Sequence, residues 1–102
     1  MYSIKLHPKV IKEDLDKIPD EVLKEVLFYF EQYKVDPFKY SSKLYDIGKL
    51  HLKGYRKTYV ANAKYRIVIK IEKDIAKIVE VVAVGSRHNK EVYKEAFSGI
   101  YN

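Results

Sequence analysis

Two arginines in this 102-residue chain lie on or at the end of strand-like runs: Arg66, in the run Lys64-Tyr65-Arg66-Ile67-Val68-Ile69, and Arg87, which closes Val84-Gly85-Ser86-Arg87. A guanidinium presents a planar fork of donors that matches two phosphate oxygens at once. It does not release its proton readily, so proton transfer would fall to a neighbour. His88 directly follows Arg87 and is the best-placed general acid. His7, before Pro8, reads as structural, and His51 as a surface residue of a basic loop. The three histidines lack metal-ligand spacing and no nucleotide-binding loop is present, so no metal and no cofactor is implied.

The charge is segregated. From Lys43 to Lys73 there are nine basic residues (Lys43, Lys49, Lys53, Arg56, Lys57, Lys64, Arg66, Lys70, Lys73) against Asp46 and Glu72, a local charge of +7. The other 11 basic and 12 acidic residues leave −1, so this stretch accounts for the whole excess of +6. A concentrated basic surface is the usual footprint of a phosphate-bearing partner, above all nucleic acid. Lys53, Arg56, Lys64 and Lys70 are the expected nucleic-acid-binding residues within it.

Composition narrows the classes. One domain spanning 1–102 is expected from so short a chain. With no cysteine there is no disulfide, thiolate metal site or cysteine nucleophile. No apolar run approaches the length needed to cross a bilayer, so a soluble cytoplasmic protein without a membrane partner is the expectation.

The elements that would position these groups follow from periodicity. Tyr2–Leu6 alternates as a strand, ended by His7-Pro8. Val10, Ile11, Leu15 and Ile18 recur at helical spacing with Glu13, Asp14 and Asp16 turned outward. Pro19 opens a second helix, with Asp20 and Glu21 in its first turn and Val22, Val26, Phe30 and Tyr33, flanked by Leu23 and Leu27, as a broad apolar stripe. The segment from Val35 to Gly54 reads as a long loop pinned by Leu44, Leu50 and Leu52. Three strands follow, turning near Ala61–Ala63 and Lys73–Asp74. On the middle one, Tyr65, Ile67, Ile69 and Ile71 face a core while Arg66, Val68, Lys70 and Glu72 face away. The third, Ile75 to Val84, is apolar enough for the sheet interior, and Asn89 to Phe97 suits a short closing helix. The predicted class is α+β in the order β-α-α-β-β-β with a terminal helix. A helix pair covers one face of a small, mainly antiparallel sheet, and the other face is open and basic.

This order of elements, with the Tyr65-Arg66 strand, the Val84-Gly85-Ser86-Arg87 strand end and Glu91-Val92-Tyr93 after it, resembles the RelE/ParE toxin superfamily, most closely its RelE-like mRNA interferase branch. The resemblance implies the toxin of a type II toxin–antitoxin system: a ribosome-dependent, metal-independent endoribonuclease that cleaves mRNA in the ribosomal A site and is restrained by a RelB-like antitoxin. RNA carries its own nucleophile, the 2′-hydroxyl. The protein need only remove a proton, stabilise a phosphorane and protonate the leaving 5′-oxygen.

Carried onto this sequence, the motifs place Arg66 and Arg87 on the phosphate and Tyr93 as a base-stacking or proton-sharing residue. They also place a basic residue on the second strand of the family's site, which is Lys57 or Arg56 depending on register. Where some relatives carry another basic residue two positions on, this chain has Thr58 or Tyr59, a departure from a two-lysine arrangement. Two other readings stay open: a ParE-like inhibitor of DNA gyrase, and a relative that kept its antitoxin surface and lost catalysis.

Overall fold

The structure, a computed structural model, describes residues 1–44, 54–72 and 75–86. Its described elements are β1 (Ser3–Leu6), a π-helical turn (Val10–Asp14) running into a 3₁₀ turn (Leu15–Lys17), α1 (Asp20–Val35), β2 (Ser42–Lys43), β3 (Tyr55–Val60), β4 (Tyr65–Glu72) and β5 (Ile78–Ser86). The strands form one sheet in the order β1-β5-β4-β3-β2. β1 runs parallel to β5, and the other pairs are antiparallel. The expected α+β class and mainly antiparallel sheet are present. The expected turn at Lys73–Asp74, Leu50 and Leu52, and the closing helix over Asn89–Phe97 fall outside the described residues.

α1 begins after Pro19, whose extended backbone (ψ 154°) cannot continue the preceding turn, and Asp20 and Glu21 occupy its positively polarised first turn. Val22, Val26, Phe30 and Tyr33 recur every three or four residues and are buried, forming one core with Ile67, Ile69, Val79, Val81 and Val84 of the sheet. The stripe is narrower than the sequence suggests. Leu23 is half-buried and Leu27 is 47% exposed, since only one line of residues on a helix meets a nearly flat sheet. The helix is tied down near its C-terminus and at its second turn: Tyr2 N–H donates to Lys34 O (2.8 Å) and Ala61 N–H to a Glu25 carboxylate oxygen (2.9 Å).

The first helical segment corrects an expectation. It is not an α-helix: Leu15 N–H donates to Val10 O, five residues back. The wider turn brings Val10 and Asp14 together onto the sheet side and leaves Ile11 exposed. Asp14, expected outside, is buried and accepts from Val84 N–H at 3.0 Å. The reason lies in β1, which stops at Leu6 opposite Val81. Among the described residues no strand pairs with β5 beyond that point on that side, and the carboxylate takes the place of a ladder acceptor.

The hairpin between β3 and β4 turns through Ala61, Asn62 and Ala63, all at positive φ (53°, 56° and 66°), and Lys64 N–H closes it on Ala61 O at 3.2 Å. Gly54, at φ +93°, supplies the left-handed residue from which β3 starts. β5 begins three residues later than expected: Ile75 is fully exposed and Lys77 has φ 47°. Between β4 and β5 the pairing passes from Val68↔Ala83 to Ile69↔Val81, leaving Val82 as a bulged extra residue. The segment read as a loop also contains β2, whose Ser42 and Lys43 pair with Lys57 and Arg56. Two residues are too few to show alternation.

Candidate functional site

The register of β3 decides which basic side chains share a face. Tyr33 of α1 donates its hydroxyl to Thr58 Oγ1, and Thr58 donates onward to Tyr40 O at 2.6 Å. Burial pushes the Tyr33 phenol well above its usual range; the Thr58 contact pulls it down and Tyr29 adds a smaller push upward. This chain of hydrogen bonds fixes Thr58 on the helix side. By alternation Arg56 lies on that side as well, and Tyr55, Lys57 and Tyr59 face away.

Lys57, rather than Arg56, is therefore the basic residue of β3 on the outer face. Arg56 was an expected RNA contact, and the structure uses it differently. Its Nε donates to Ser41 Oγ (2.7 Å), one terminal nitrogen donates to Ser41 O (2.8 Å) and Phe38 O (3.3 Å), and its Cζ sits 5.2 Å from the Phe38 ring centroid. It straps the segment leading to β2 onto the sheet.

On the outer face, Arg66 lies between Tyr59 of β3 and Gly85 of β5. Its Cζ is 5.8 Å from the Tyr59 ring centroid, and Lys57 Nζ is 4.8 Å from the same centroid. Gly85, its partner on β5, presents no side chain to the guanidinium. Arg66 is only 8% exposed, which corrects the expectation of a solvent-facing strand residue. The face is also less open than expected, since Tyr55, Val68, Val82 and Ala83 on or next to it are buried. The cations sit at its margins. Lys70 is exposed with its Nζ 5.9 Å from the Tyr55 ring centroid, Lys64 is exposed in the hairpin, and Lys5 meets Glu80 at 3.8 Å. Cross-strand pairing sets Lys70 between Tyr55 and Glu80.

Of the expected site residues, the structure thus brings Arg66 and Lys57 together around one ring. Arg87, His88, Tyr93 and Lys53 lie outside the described residues. Tyr59 was not among the expected site residues and stands 37% exposed at the centre of the cluster. The signal was present. A symmetric hairpin around Ala61–Lys64 pairs Val60 with Tyr65 and hence Tyr59 with Arg66.

No protein-family model and no curated protein matches the sequence. Solved structures do match the fold. A double arginine-to-alanine mutant of E. coli RelE toxin in the free state superposes with a TM-score of 0.71 at 23% identity, over 97% of both chains. The chain has the RelE fold. Isolated E. coli RelE gives a TM-score of 0.67 at 23% identity over 98% of this chain and 99% of that one. The RelBE2 toxin–antitoxin complex of Mycobacterium tuberculosis gives 0.67 at 23% identity over 84% and 98%. In the RelE fold as it stands here, Arg66 lies on β4, paired with Gly85 of β5.

Proposed function

We propose that this protein is the toxin of a type II toxin–antitoxin pair, a cytoplasmic, ribosome-dependent and metal-independent endoribonuclease acting on mRNA in the ribosomal A site, neutralised by a RelB-like antitoxin. The observation that carries the reading is the Lys57–Tyr59–Arg66 cluster on the face of a RelE fold that points away from α1. In the proposed reaction the 2′-hydroxyl loses its proton as its oxygen attacks the adjacent phosphorus. The P–O5′ bond then breaks, the 5′-oxygen takes a proton, and a 2′,3′-cyclic phosphate remains. Arg66 and Arg87 hold the phosphorane oxygens, Lys57 serves the attacking hydroxyl, His88 protonates the leaving oxygen and Tyr93 stacks a base. The burial of Arg66 fits this use. A guanidinium already fixed against Tyr59 costs little reorganisation when charge develops beside it, and acts in a medium less polar than water.

The test is cleavage of mRNA on programmed ribosomes by the purified protein. Wild type should cut, and Arg66→Ala should cut about 10²–10³-fold more slowly, the usual loss for one preorganised charge donor. Equal cleavage by both, or no cleavage together with inhibition of DNA gyrase, refutes the reading.

A further inference from the structure

A pocket of about 300 Å³ opens along the edge of β3 where β2 ends. Its walls come from both sides of the sheet: Tyr29 and Tyr40 from the helix side, Lys57 and Tyr59 from the outer face, together with Lys39 and Ser42. Tyr29 and Tyr40 meet edge to face with centroids 6.4 Å apart. Lys39 Nζ stands 5.5 Å from the Tyr40 ring centroid, and Lys57 Nζ 4.8 Å from that of Tyr59.

Rings with ammonium groups beside them suit a particular ligand. Aromatic faces stack nucleobases, and the neighbouring ammonium groups meet the phosphates that link them. An acidic peptide would use the two lysines but gives no reason for three tyrosines. The volume lies at the small end of ligand sites, a scale that fits one nucleotide. The pocket also shares a wall with the cluster already described, because Lys57 and Tyr59 belong to both. We infer that it is a single-nucleotide subsite, taking one base of the RNA strand and that base's phosphate next to the phosphate held at Arg66. The inference rests on the proposed RNA-cleaving function and adds to it a place where the strand is gripped away from the reacting bond.

The experiment follows backbone amide shifts of the full chain with two probes, an RNA trinucleotide and the same trinucleotide lacking its central base. The intact probe should move Ser41, Ser42, Lys57 and Tyr59, and the abasic one should bind about tenfold more weakly, as expected for one lost stack. Lys39→Ala should weaken the intact probe and lower the slope of log affinity against log salt by about 0.7, the share of one phosphate contact to a single strand. Ser42→Trp, on an exposed strand position, should block the pocket while leaving the fold in place. Trinucleotide binding unchanged by both variants overturns the subsite, and if wild type still cleaves on ribosomes the proposed function stands. Shifts from an acidic peptide but not from the trinucleotide also overturn it, assigning the pocket to a protein partner. Neither binding nor cleavage by wild type removes both.

Discussion

Replacing Tyr33 by Phe tests the hydrogen-bond chain that sets the register of β3. In the folded protein Tyr33 is buried and donates to Thr58, and its phenol is held above the ordinary value of 10.0. A group whose folded pKa is raised contributes stability that is complete below the unfolded pKa and is lost as pH rises toward the folded one. At pH 7 the phenol is protonated in both states. Tyr33→Phe then costs only the net value of one hydrogen bond, about 1 kcal/mol. Above pH 10 the unfolded wild type loses a proton that the folded protein keeps, so wild-type stability falls by up to about 1.4 kcal/mol per pH unit through this group. By pH 11 that loss is about 1.4 kcal/mol, and the Phe variant escapes it. The two stability curves should therefore converge and cross between about pH 10 and pH 11. Urea unfolding of both proteins at intervals from pH 7 to pH 11 measures the difference directly. A gap that stays constant across that range would show that Tyr33 ionises alike folded and unfolded, and the buried Tyr33–Thr58–Tyr40 chain would be refuted.

Four further outcomes are expected. Arg66→Ala should lower cleavage as described, and because Arg66 is buried against Tyr59 and Gly85 it should also lower the melting temperature measurably, by a destabilisation of about 1–3 kcal/mol; Arg66→Lys keeps the charge and loses the fork. Asp14→Ala leaves Val84 N–H without its acceptor and should cost about 1–3 kcal/mol in chemical denaturation. Ala63→Gly relieves a residue at φ 66° and should raise stability by up to about 1 kcal/mol, read as a higher urea midpoint at unchanged slope. Ribosome or RNA binding should weaken steeply with salt, and Lys53, Lys57 and Lys64 reversed to Glu should flatten that dependence while the circular dichroism spectrum is retained.

The long, strongly periodic parts were legible in the sequence. α1 follows from Pro19, Asp20 and the 22-26-30-33 spacing, and β4 from its alternation, because each pattern reports one face meeting one core. What escaped was set by tertiary contacts. Asp14 looks like one more exposed acid until the sheet is assembled, where beyond the end of β1 its carboxylate accepts from Val84 N–H. β2 exists because Arg56 and the edge of β3 hold two residues that have no pattern of their own. Arg66 was correctly assigned to the outer face, but it is buried there, with Tyr59 beside it on one neighbouring strand and Gly85 on the other. Periodicity along one strand carries no information about the size of the residues beside it. The same limit hid Tyr59, whose importance appears only once the hairpin register is known.

The extra residue at Val82 acts as a phase shift within β5. Before it, Val79 and Val81 point to the core; after it, the core residue is Val84, so odd and even positions exchange faces part-way along one strand. Gly85 stands beside Arg66 only because of that exchange. Drawing Val82 into a regular ladder opposite Val68 would keep the strand equally apolar, yet Val84 would then oppose Arg66 and Gly85 would turn inward. Deleting Val82 would instead remove the bulge and leave Gly85 beside the guanidinium. When this strand is aligned with other chains of the RelE fold, a one-residue gap therefore belongs at Val82 wherever the other chain lacks the bulge, since without it every later column would compare residues from opposite faces.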